Sequence, residues 1–312
     1  MNKTSPSTAK NLGAAPKTVA PRGGIQLGMH TDNWRTLSGS FDQAVAAAVE
    51  HQLGFLEFGL VDGQNFIQGL GYDPALPLDV DELALKRGLD QRGIRVSQID
   101  AGYPLTGPKG AVYGVPYVWR AIRMAHLIGC PYVDSTDGAT KPAGWTDRET
   151  IAQWRLNLRL VLERAESFKV GVNLEPHGPF TQNLELMVKL LKEFDSPWLG
   201  VNFDTGNTFI AGHDPLTYLK AIRPWLRHVH CKDVPKAMAE TARGEETGVA
   251  CSDTSIGRGA NAGNIKACVN YLNQTKWNGV FSIETLGTPG NIRDSVAWLR
   301  SVIGRRDATA KP

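Results

Sequence analysis

Four short apolar segments in the second half of the chain each end on a residue that can bind a metal ion. Buried parallel strands have this composition, and the carboxyl ends of the strands of a parallel barrel gather its catalytic groups. Two Glu, one Asp and one His at that end would suit Mn²⁺, the ion we expect, or Mg²⁺ or Co²⁺. The segments read Val170-Gly-Val-Asn-Leu-Glu175, Leu199-Gly-Val-Asn-Phe-Asp204, Leu226-Arg-His-Val-His230 and Val280-Phe-Ser-Ile-Glu284.

The charges of these four terminal residues favour one shared divalent ion. A carboxylate at the end of an apolar strand is costly to bury without a partner. Three carboxylates around one point repel one another unless a cation neutralises them, and one imidazole completes a plausible set of ligands. The sequence therefore predicts one metal site, with the ligands Glu175, Asp204, His230 and Glu284.

Strand-like and helix-like segments alternate through the chain, which is typical of βα units on a parallel sheet. Eight strands and eight helices predict an α/β fold, a (β/α)₈ TIM barrel. The opening Gly23–Gly28 is not a GxGxxG turn, which disfavours a doubly wound sheet. The predicted strands are Gly24–His30, Phe55–Leu60, Arg95–Ala101, Tyr132–Thr136, Val170–Glu175, Leu199–Asp204, Leu226–His230 and Val280–Glu284. The predicted helices are Phe41–His51, Val80–Arg92, Val115–Ile128, Asp147–Lys169, Leu184–Phe194, Pro215–Trp225, Ile265–Thr275 and Asn291–Ile303.

The composition is that of one catalytic barrel with short tails. We expect a disordered extension at residues 1–22, a single barrel domain at 23–304 and a disordered tail at 305–312. The formal charge is +3, and the extension holds four basic and no acidic residues, so residues 23–312 sum to −1. This balance argues against a nucleic-acid partner, and no apolar run reaches the ~18 residues of a membrane helix. Four cysteines without CxxC spacing favour a reducing compartment, with the cytoplasm as the expected location.

Two predicted loops are longer than an ordinary βα connection. They are Val61–Pro77, after the second strand, and Val234–Gly263, after the seventh. Both would emerge on the face that holds the metal ligands. They are therefore either lids or substrate walls, or insertions without a catalytic role.

Several motifs together resemble the xylose-isomerase-like barrels, which include ketose 3-epimerases and inosose dehydratases. The resemblance extends over residues 24–303. It implies a TIM barrel in which Glu175, Asp204, His230 and Glu284 bind one divalent metal and the two glutamates also act as acid and base. The motifs are Gly54-Phe-Leu-Glu57, Asn173-Leu-Glu-Pro-His-Gly178, Asn202-Phe-Asp-Thr-Gly-Asn207, His228-Val-His-Cys-Lys-Asp233 and Ser282-Ile-Glu284.

The expected reaction is isomerisation or epimerisation of a keto-sugar. Removing a proton next to a carbonyl leaves an enediolate, whose negative charge a bound metal stabilises. Glu175 and Glu284 would remove and return the proton. Epimerases of this family commonly carry His where this chain has Asn207, which cannot take a proton at neutral pH, so His177 is a third catalytic candidate.

The alternative reaction is elimination. If the substrate is a 3-oxo-glycoside, the same enolate can expel its C1 substituent, as in lyases that cleave oxidised C- or O-glycosides with barrels similar to this one. That reading adds a small β subunit as a possible partner. In both readings the partners are a sugar substrate and further copies of this chain, with no nucleic acid and no membrane.

Six polar residues are predicted to bind the substrate, each with a structural alternative. His228, two residues before His230, could instead form hydrogen bonds in the barrel core, and Glu57 and Asp100 could form interior ion pairs. Arg258, in the second long loop, could instead be solvated at the surface. An apurinic endonuclease is disfavoured because such enzymes need a basic groove. A non-catalytic barrel is disfavoured because all four metal-ligand positions hold residues that can bind a metal. The six residues are Glu57, Asp100, Asn207, His228, Lys232 and Arg258.

Overall fold

The computed structural model describes residues 23–37, 39–61, 74–138, 140–245 and 248–304. The predicted extension 1–22, the predicted tail 305–312 and most of the first predicted long loop lie outside these ranges. The domain boundaries therefore stay predictions. Within the described residues, no helix combines the length and the apolar character needed to cross a membrane.

Eight parallel strands form a closed barrel, which confirms the predicted (β/α)₈ architecture. Each strand pairs with the next along the chain, and β1 pairs with both β2 and β8, so the sheet has no free edge. Buried residues line most of every strand, as expected for strands covered on both faces. The strands are β1 Ile25–His30, β2 Phe55–Val61, β3 Arg95–Asp100, β4 Tyr132–Ser135, β5 Gly171–Leu174, β6 Leu199–Asp204, β7 Leu226–Cys231 and β8 Gly279–Ile283.

Helices cover the outside of the barrel, with apolar faces on the strands. The helix α4 begins with a capping box, in which Thr146 and Glu149 each accept a hydrogen bond from the other's backbone N–H. The helices are α1 Phe41–Glu50, α2 Glu82–Gln91, α3 Val115–Ile128, α4 Asp147–Phe168, α5 Leu184–Phe194, α6 Thr205–Ile210, α7 Pro215–Ile222, α8 Lys236–Ala242, α9 Ala262–Gln274 and α10 Pro289–Ile303.

The predicted element boundaries agree with the structure to within a few residues, but several short elements were not predicted. They are a 3₁₀ turn at Thr31–Leu37, a π-helical turn at Gly110–Gly114, a two-residue strand at Leu76–Pro77 beside the end of β2, and the helices α6 and α8. Each is too short to show an amphipathic repeat in the sequence. The helix α8 lies inside the second predicted long loop, so that loop is partly helical.

Polar side chains from several strands form a buried network inside the barrel. The Asn173 amide donates a hydrogen bond to Gln98 Oε1 at 2.6 Å, and His228 Nδ1 lies 3.0 Å from Asn202 Oδ1. The Asn202 amide donates in turn to Asp134 Oδ2 at 2.9 Å. Such a network inside a low-dielectric interior holds its members in one arrangement. It therefore fixes the strands on which the predicted metal ligands stand.

Candidate metal centre

The four predicted metal ligands meet at the carboxyl ends of β5 to β8. Asp204 on β6 and His230 on β7 are register partners, while Glu175 and Glu284 directly follow the last residues of β5 and β8. Each of the four offers a ligand atom, and these atoms lie within 4.8 Å of one another. The structure thus brings together in space residues that are separated by up to 109 positions in the chain.

His230 is the hub of this cluster. Its Nδ1 atom lies 3.0 Å from Glu175 Oε1 and 3.1 Å from Glu284 Oε2. Its Nε2 atom lies 2.9 Å from Glu57 Oε1 on β2. One ring nitrogen therefore faces the two glutamates of the cluster, and the other faces a carboxylate below it.

Glu57 lies beneath the cluster rather than on the wall of the cavity. Its side chain is wholly buried, and its Oε1 atom also accepts a hydrogen bond of 2.8 Å from the Gln98 amide. Metal-binding histidines commonly donate their second ring N–H to a carboxylate, which fixes the tautomer and the ring orientation. The position favours this supporting role for Glu57 over the predicted contact with substrate.

Lys232 reaches into the same cluster from the end of β7. Its ammonium Nζ lies 2.8 Å from Glu284 Oε1 and 3.2 Å from Asp204 Oδ2. It also donates a hydrogen bond of 3.4 Å to Asn207 Oδ1, and the Asn207 amide donates one of 3.3 Å to Glu175 Oε1. The buried ammonium group of Lys232 thus lies where the three carboxylates converge.

Burial and charge pull the pKa values of the cluster in opposite directions. Burial alone would raise the pKa of Glu175, but the charges of His177 and His230 hold it well below its usual range. Glu284 behaves in the same way, with Lys232 as the main opposing charge. Burial opposes the charged form of His230, yet the surrounding carboxylates raise its pKa well above its usual value. The carboxylates and the cationic side chains of the cluster therefore hold one another in their charged forms.

Asp204 differs from the two glutamates. Burial raises the pKa of Asp204 to about 6, against the opposing charge of Lys232. Its Oδ1 atom accepts hydrogen bonds from the backbone N–H groups of Gly206 and Asn207, at 2.6 and 2.9 Å, and so caps the start of α6. Its buried Oδ2 atom makes no hydrogen bond within the described part of the chain, although it stands within ion-pair distance of Lys232.

These residues fit a divalent cation. Two buried carboxylate oxygens of the cluster, Asp204 Oδ2 and Glu284 Oε2, make no hydrogen bond among the described residues and have only ion-pair contacts, with Lys232 and His230 respectively. Both are potential ligand atoms in a set of three carboxylates and one imidazole. Oxygen-rich sets with one imidazole suit Mn²⁺, Mg²⁺ or Co²⁺, and a cation there would relieve the mutual repulsion of the carboxylates.

The cluster opens into a cavity of about 820 Å³. Four of the predicted site residues line it beside the metal ligands: His177, Asn207, Lys232 and, further along the wall, Asp100. His177 Nδ1 lies 3.2 Å from Glu175 Oε2, and the His177 side chain is 34% exposed. The imidazole can therefore exchange protons with both the carboxylate and the cavity.

Asp100 faces a histidine that also lines the cavity. His30 Nε2 lies 3.5 Å from Asp100 Oδ2, which is an ion-pair distance but long for a hydrogen bond. Burial alone would lower the pKa of His30, but Asp100 and Glu57 raise it to about 9. The predicted role of Asp100 in binding sugar hydroxyls is compatible with this place.

The last two predicted substrate contacts lie away from the cavity. His228 is buried on β7 two residues before His230, with Nε2 3.2 Å from Ser97 Oγ, and burial lowers its pKa to about 4. Arg258 is at the surface, where its side chain is 73% exposed and lies 3.4 Å from Asp294 Oδ2. Both positions agree with the structural alternatives, namely core hydrogen bonding and solvation.

Two supporting features were not found from the sequence. Gln98 joins Glu57 to the interior network, and its only sequence signal is its position two residues before Asp100 on a predicted strand. The second is Asp233, whose carboxylate accepts backbone hydrogen bonds of 2.8–2.9 Å from Gly257, Gly259 and Asn261. A Cβ at Gly259 would lie 2.3 Å from Asp233 Oδ1, so this contact requires glycine. Asp233 thereby anchors the second long loop beside the site.

Comparisons with known proteins agree with this architecture. A 3-dehydroshikimate dehydratase from Bacillus anthracis is 32% identical over 81 residues, which are 26% of this chain and 29% of that protein. The chain thus matches less than a third of the length of this curated relative.

Solved structures resemble the whole barrel at low sequence identity. An L-ribulose 3-epimerase superimposes with a TM-score of 0.70 at 16% identity, covering 92% of this chain and 100% of the other. The IOLI protein with a bound zinc atom gives 0.69 at 15% identity, covering 89% and 98%. A 3-keto-D-glucoside 4-epimerase from E. coli gives 0.65 at 16% identity, covering 90% and 100%.

The family profile covers most of the chain. It spans residues 45–302, and therefore includes all four ligands of the cluster. The chain belongs to the family of xylose isomerase-like TIM barrels.

Proposed function

We propose that this chain is a divalent-metal-dependent sugar isomerase or epimerase that acts on a keto-sugar by removing a proton next to its carbonyl group. The observation that carries the proposal is the convergence of three carboxylates and one imidazole within 4.8 Å at the mouth of the barrel. The names of the relatives support it, since they include epimerases and a dehydratase that act on polyhydroxylated carbonyl compounds.

The cluster supplies both an electrophile and two bases. A divalent cation held by Glu175, Asp204, His230 and Glu284 would draw electron density from a substrate carbonyl and so acidify the neighbouring C–H. Glu175 and Glu284 both line the cavity, and their lowered pKa values keep them ionised at neutral pH. One can accept the proton from carbon while the other returns a proton, which inverts or relocates the hydroxyl-bearing centre.

The neighbouring side chains would move and hold protons around these bases. His177, 3.2 Å from Glu175 Oε2 and partly exposed, can pass a proton between that carboxylate and the solvent of the cavity. Lys232 can donate hydrogen bonds to substrate oxygens once a cation takes its place beside Asp204 and Glu284. Asn207 keeps its amide on Glu175, which suits the orientation of a base rather than proton transfer.

A second function is favoured by one observation, the pairing of His177 with Glu175 on the cavity wall. In a 3-oxo-glycoside, the bond from the substituent lies one carbon away from the acidified C–H. If Glu175 or Glu284 takes the proton, the electron pair can expel the C1 substituent, and His177 can protonate the departing oxygen. The products are an unsaturated keto-sugar and a free alcohol or phenol, so the alternative is a lyase.

Incubation of the Mn²⁺-loaded protein in D₂O separates these functions. Ketoses and 3-oxo-glycosides serve as substrates, and products are followed by mass spectrometry and NMR. Deuterium at one carbon of an isomeric product supports the isomerase or epimerase. Release of the aglycone supports the lyase. If no substrate exchanges a proton, the proposed chemistry is wrong.

The identity of the metal and the assembly also belong to the proposal. We propose Mn²⁺ as the native ion, whereas the structural neighbour IOLI holds zinc. Elemental analysis of protein purified without added metal, followed by reconstitution with Mn²⁺, Mg²⁺, Co²⁺ and Zn²⁺, tests this choice. The homo-oligomer, the small β subunit and the cytoplasmic location stay predictions, and light scattering on purified protein tests the first of them.

A further inference from the structure

The cavity is larger than a single sugar ring requires. Its volume is about 820 Å³, near the upper end of the roughly 300–1,000 Å³ range of pockets that hold drug-sized ligands. A monosaccharide has only about a dozen non-hydrogen atoms and would occupy the part around the metal ligands. The lining also includes residues of the loops that follow β3 and β4.

The cavity also carries a group of apolar side chains, with Thr106, Lys109 and Thr140 at their edges. They form a proline–tyrosine wall made of Leu60, Tyr103, Pro104, Pro108, Tyr117 and Pro142. The rings of Pro104 and Pro108 are exposed. The Tyr117 hydroxyl donates a hydrogen bond of 2.6 Å to the Leu60 carbonyl, so its polar atom is engaged with the backbone. Apolar rings that face a concave surface mark a place where an apolar group binds.

The proline–tyrosine wall is preformed. The loop after β3 is fastened to α4 by hydrogen bonds from the Asn157 amide to the Leu105 carbonyl, 2.7 Å, and from the Gln153 amide to the Gly107 carbonyl, 2.8 Å. Gly138 has φ +100°, and a Cβ there would lie 2.9 Å from Pro104 Cβ. A ligand meeting such a wall loses little free energy in ordering the protein.

Polar groups line the cavity besides this wall and the metal ligands. Asp100 and Asp32 line the cavity, and Asp32 forms an ion pair of 3.3 Å with Arg35, which also lines it. Hydroxyl groups of a sugar would find partners at these groups. A molecule that fills the cavity therefore meets charged ligands, polar groups and apolar rings.

We infer that the substrate is a keto-sugar joined to an apolar, ring-shaped aglycone, and that the proline–tyrosine wall binds this aglycone. The inference rests on the proposed function, because it places the sugar at the metal ligands. The wall and the ligands line one continuous cavity, so a single molecule with two ends of different polarity accounts for both. The inference holds for an epimerase and for a lyase alike.

Binding of intact glycosides tests the inference without catalysis. Phenyl and methyl β-D-glycosides of glucose, galactose, mannose and xylose are titrated by calorimetry into the Mn²⁺-loaded protein and into protein treated with a chelator. We expect the phenyl glycoside to bind about tenfold more tightly in at least one pair, because the phenyl ring adds buried apolar area. The preference for phenyl should persist without metal.

Two variants locate this preference. The double variant Pro104→Ser/Pro108→Ser removes two exposed rings of the wall and should reduce the preference to about twofold. The control Pro289→Ser changes an exposed proline that is not part of the wall, at the start of α10, and should leave the preference unchanged.

Equal affinity in all four pairs, absence of binding by every glycoside, or a preference that survives in the double variant would overturn the inference. The proposed function fails on a different result, the absence of proton exchange or aglycone release in D₂O. A protein that prefers phenyl glycosides but exchanges no proton would therefore keep the subsite and lose the proposed chemistry.

Discussion

Replacement of Glu57 by Gln should weaken metal binding although Glu57 is not among the proposed ligands. Glu57 Oε1 lies 2.9 Å from His230 Nε2, on the side of the ring opposite Glu175 and Glu284. A negative charge there makes Nδ1 of the imidazole a stronger electron-pair donor to a metal ion and holds the ring toward the cluster. Gln keeps the size and the oxygen acceptor but removes the charge. The Glu57→Gln variant therefore isolates the electrostatic contribution.

The size of the effect follows from the burial of the pair. Loss of a carboxylate that orients a metal-bound histidine typically costs about 10–100-fold in metal affinity, which corresponds to about 1.4–2.7 kcal/mol. The Glu57 side chain is fully buried and that of His230 is 4% exposed, so solvent does not screen the interaction. Burial alone would raise the pKa of Glu57, yet His230 and His228 lower it to about 2, which shows how strongly the ring and the carboxylate interact. We expect a loss near the upper end of that range.

Competition with a fluorescent chelator measures the Mn²⁺ dissociation constant of the wild type and of the variant at pH 7. The matched control is Glu163→Gln, the same substitution at an exposed position on α4, which should leave the constant unchanged. Thermal unfolding of the chelator-treated proteins verifies that the variant is folded. An Mn²⁺ affinity within about twofold of the wild type would refute the supporting role of Glu57.

Three further results are expected. Lys232→Met should lower the free energy of unfolding of the chelator-treated protein by about 3 kcal/mol, measured with urea, because Asp204 and Glu284 lose their buried counter-ion. Added Mn²⁺ should restore the stability of this variant. An unchanged free energy of unfolding without metal would contradict the role of Lys232. Glu284→Gln should slow deuterium incorporation about 10²-fold or more, and an unchanged rate would exclude Glu284 as a base. The pKa of His30 is raised from 6.5 to about 9, chiefly by Asp100 against the effect of burial, so its stabilisation is complete below pH 6.5 and is lost as the pH rises through 9. The free energy of unfolding of metal-free protein, measured with urea, should fall over that window by at most about 3 kcal/mol, and this fall should shrink in His30→Asn.

The barrel and the ligand cluster could be predicted because each strand and its ligand are identified by a short stretch of consecutive residues. An apolar run that ends in a charged residue identifies a buried strand and its carboxyl end at once. Glu175 and Glu284 were predicted in this way, and the structure places both directly after their strands. Closure of the sheet then brings the strand ends together without any further information from the sequence.

The position of a side chain along the barrel axis was harder to predict from the sequence. Residues at alternate positions of a strand face the same side, so the pattern does not tell whether His228 reaches the substrate like its neighbour His230 or stays in the barrel core. Two residues of a strand span about 6.6 Å, which is enough to separate a metal ligand from a member of the interior network. Glu57 shows the same limit, since its register partner is Gln98, two residues before the cavity-lining Asp100.

Contacts between distant loops depend on shape and were not predictable. Asp233 stands next to Lys232 in its motif, but its carboxylate accepts hydrogen bonds from three backbone N–H groups of the loop around Gly259. That anchor leaves the Lys232 ammonium to Asp204 and Glu284. Two adjacent residues of one motif thus have different roles: Asp233 fixes the loop, and Lys232 neutralises part of the charge of the carboxylates. Asp233 Oδ1 also accepts a hydrogen bond of 2.8 Å from the Val234 N–H, so four backbone N–H groups occupy the acceptor sites of this carboxylate and Asp233 has no capacity left for a cation.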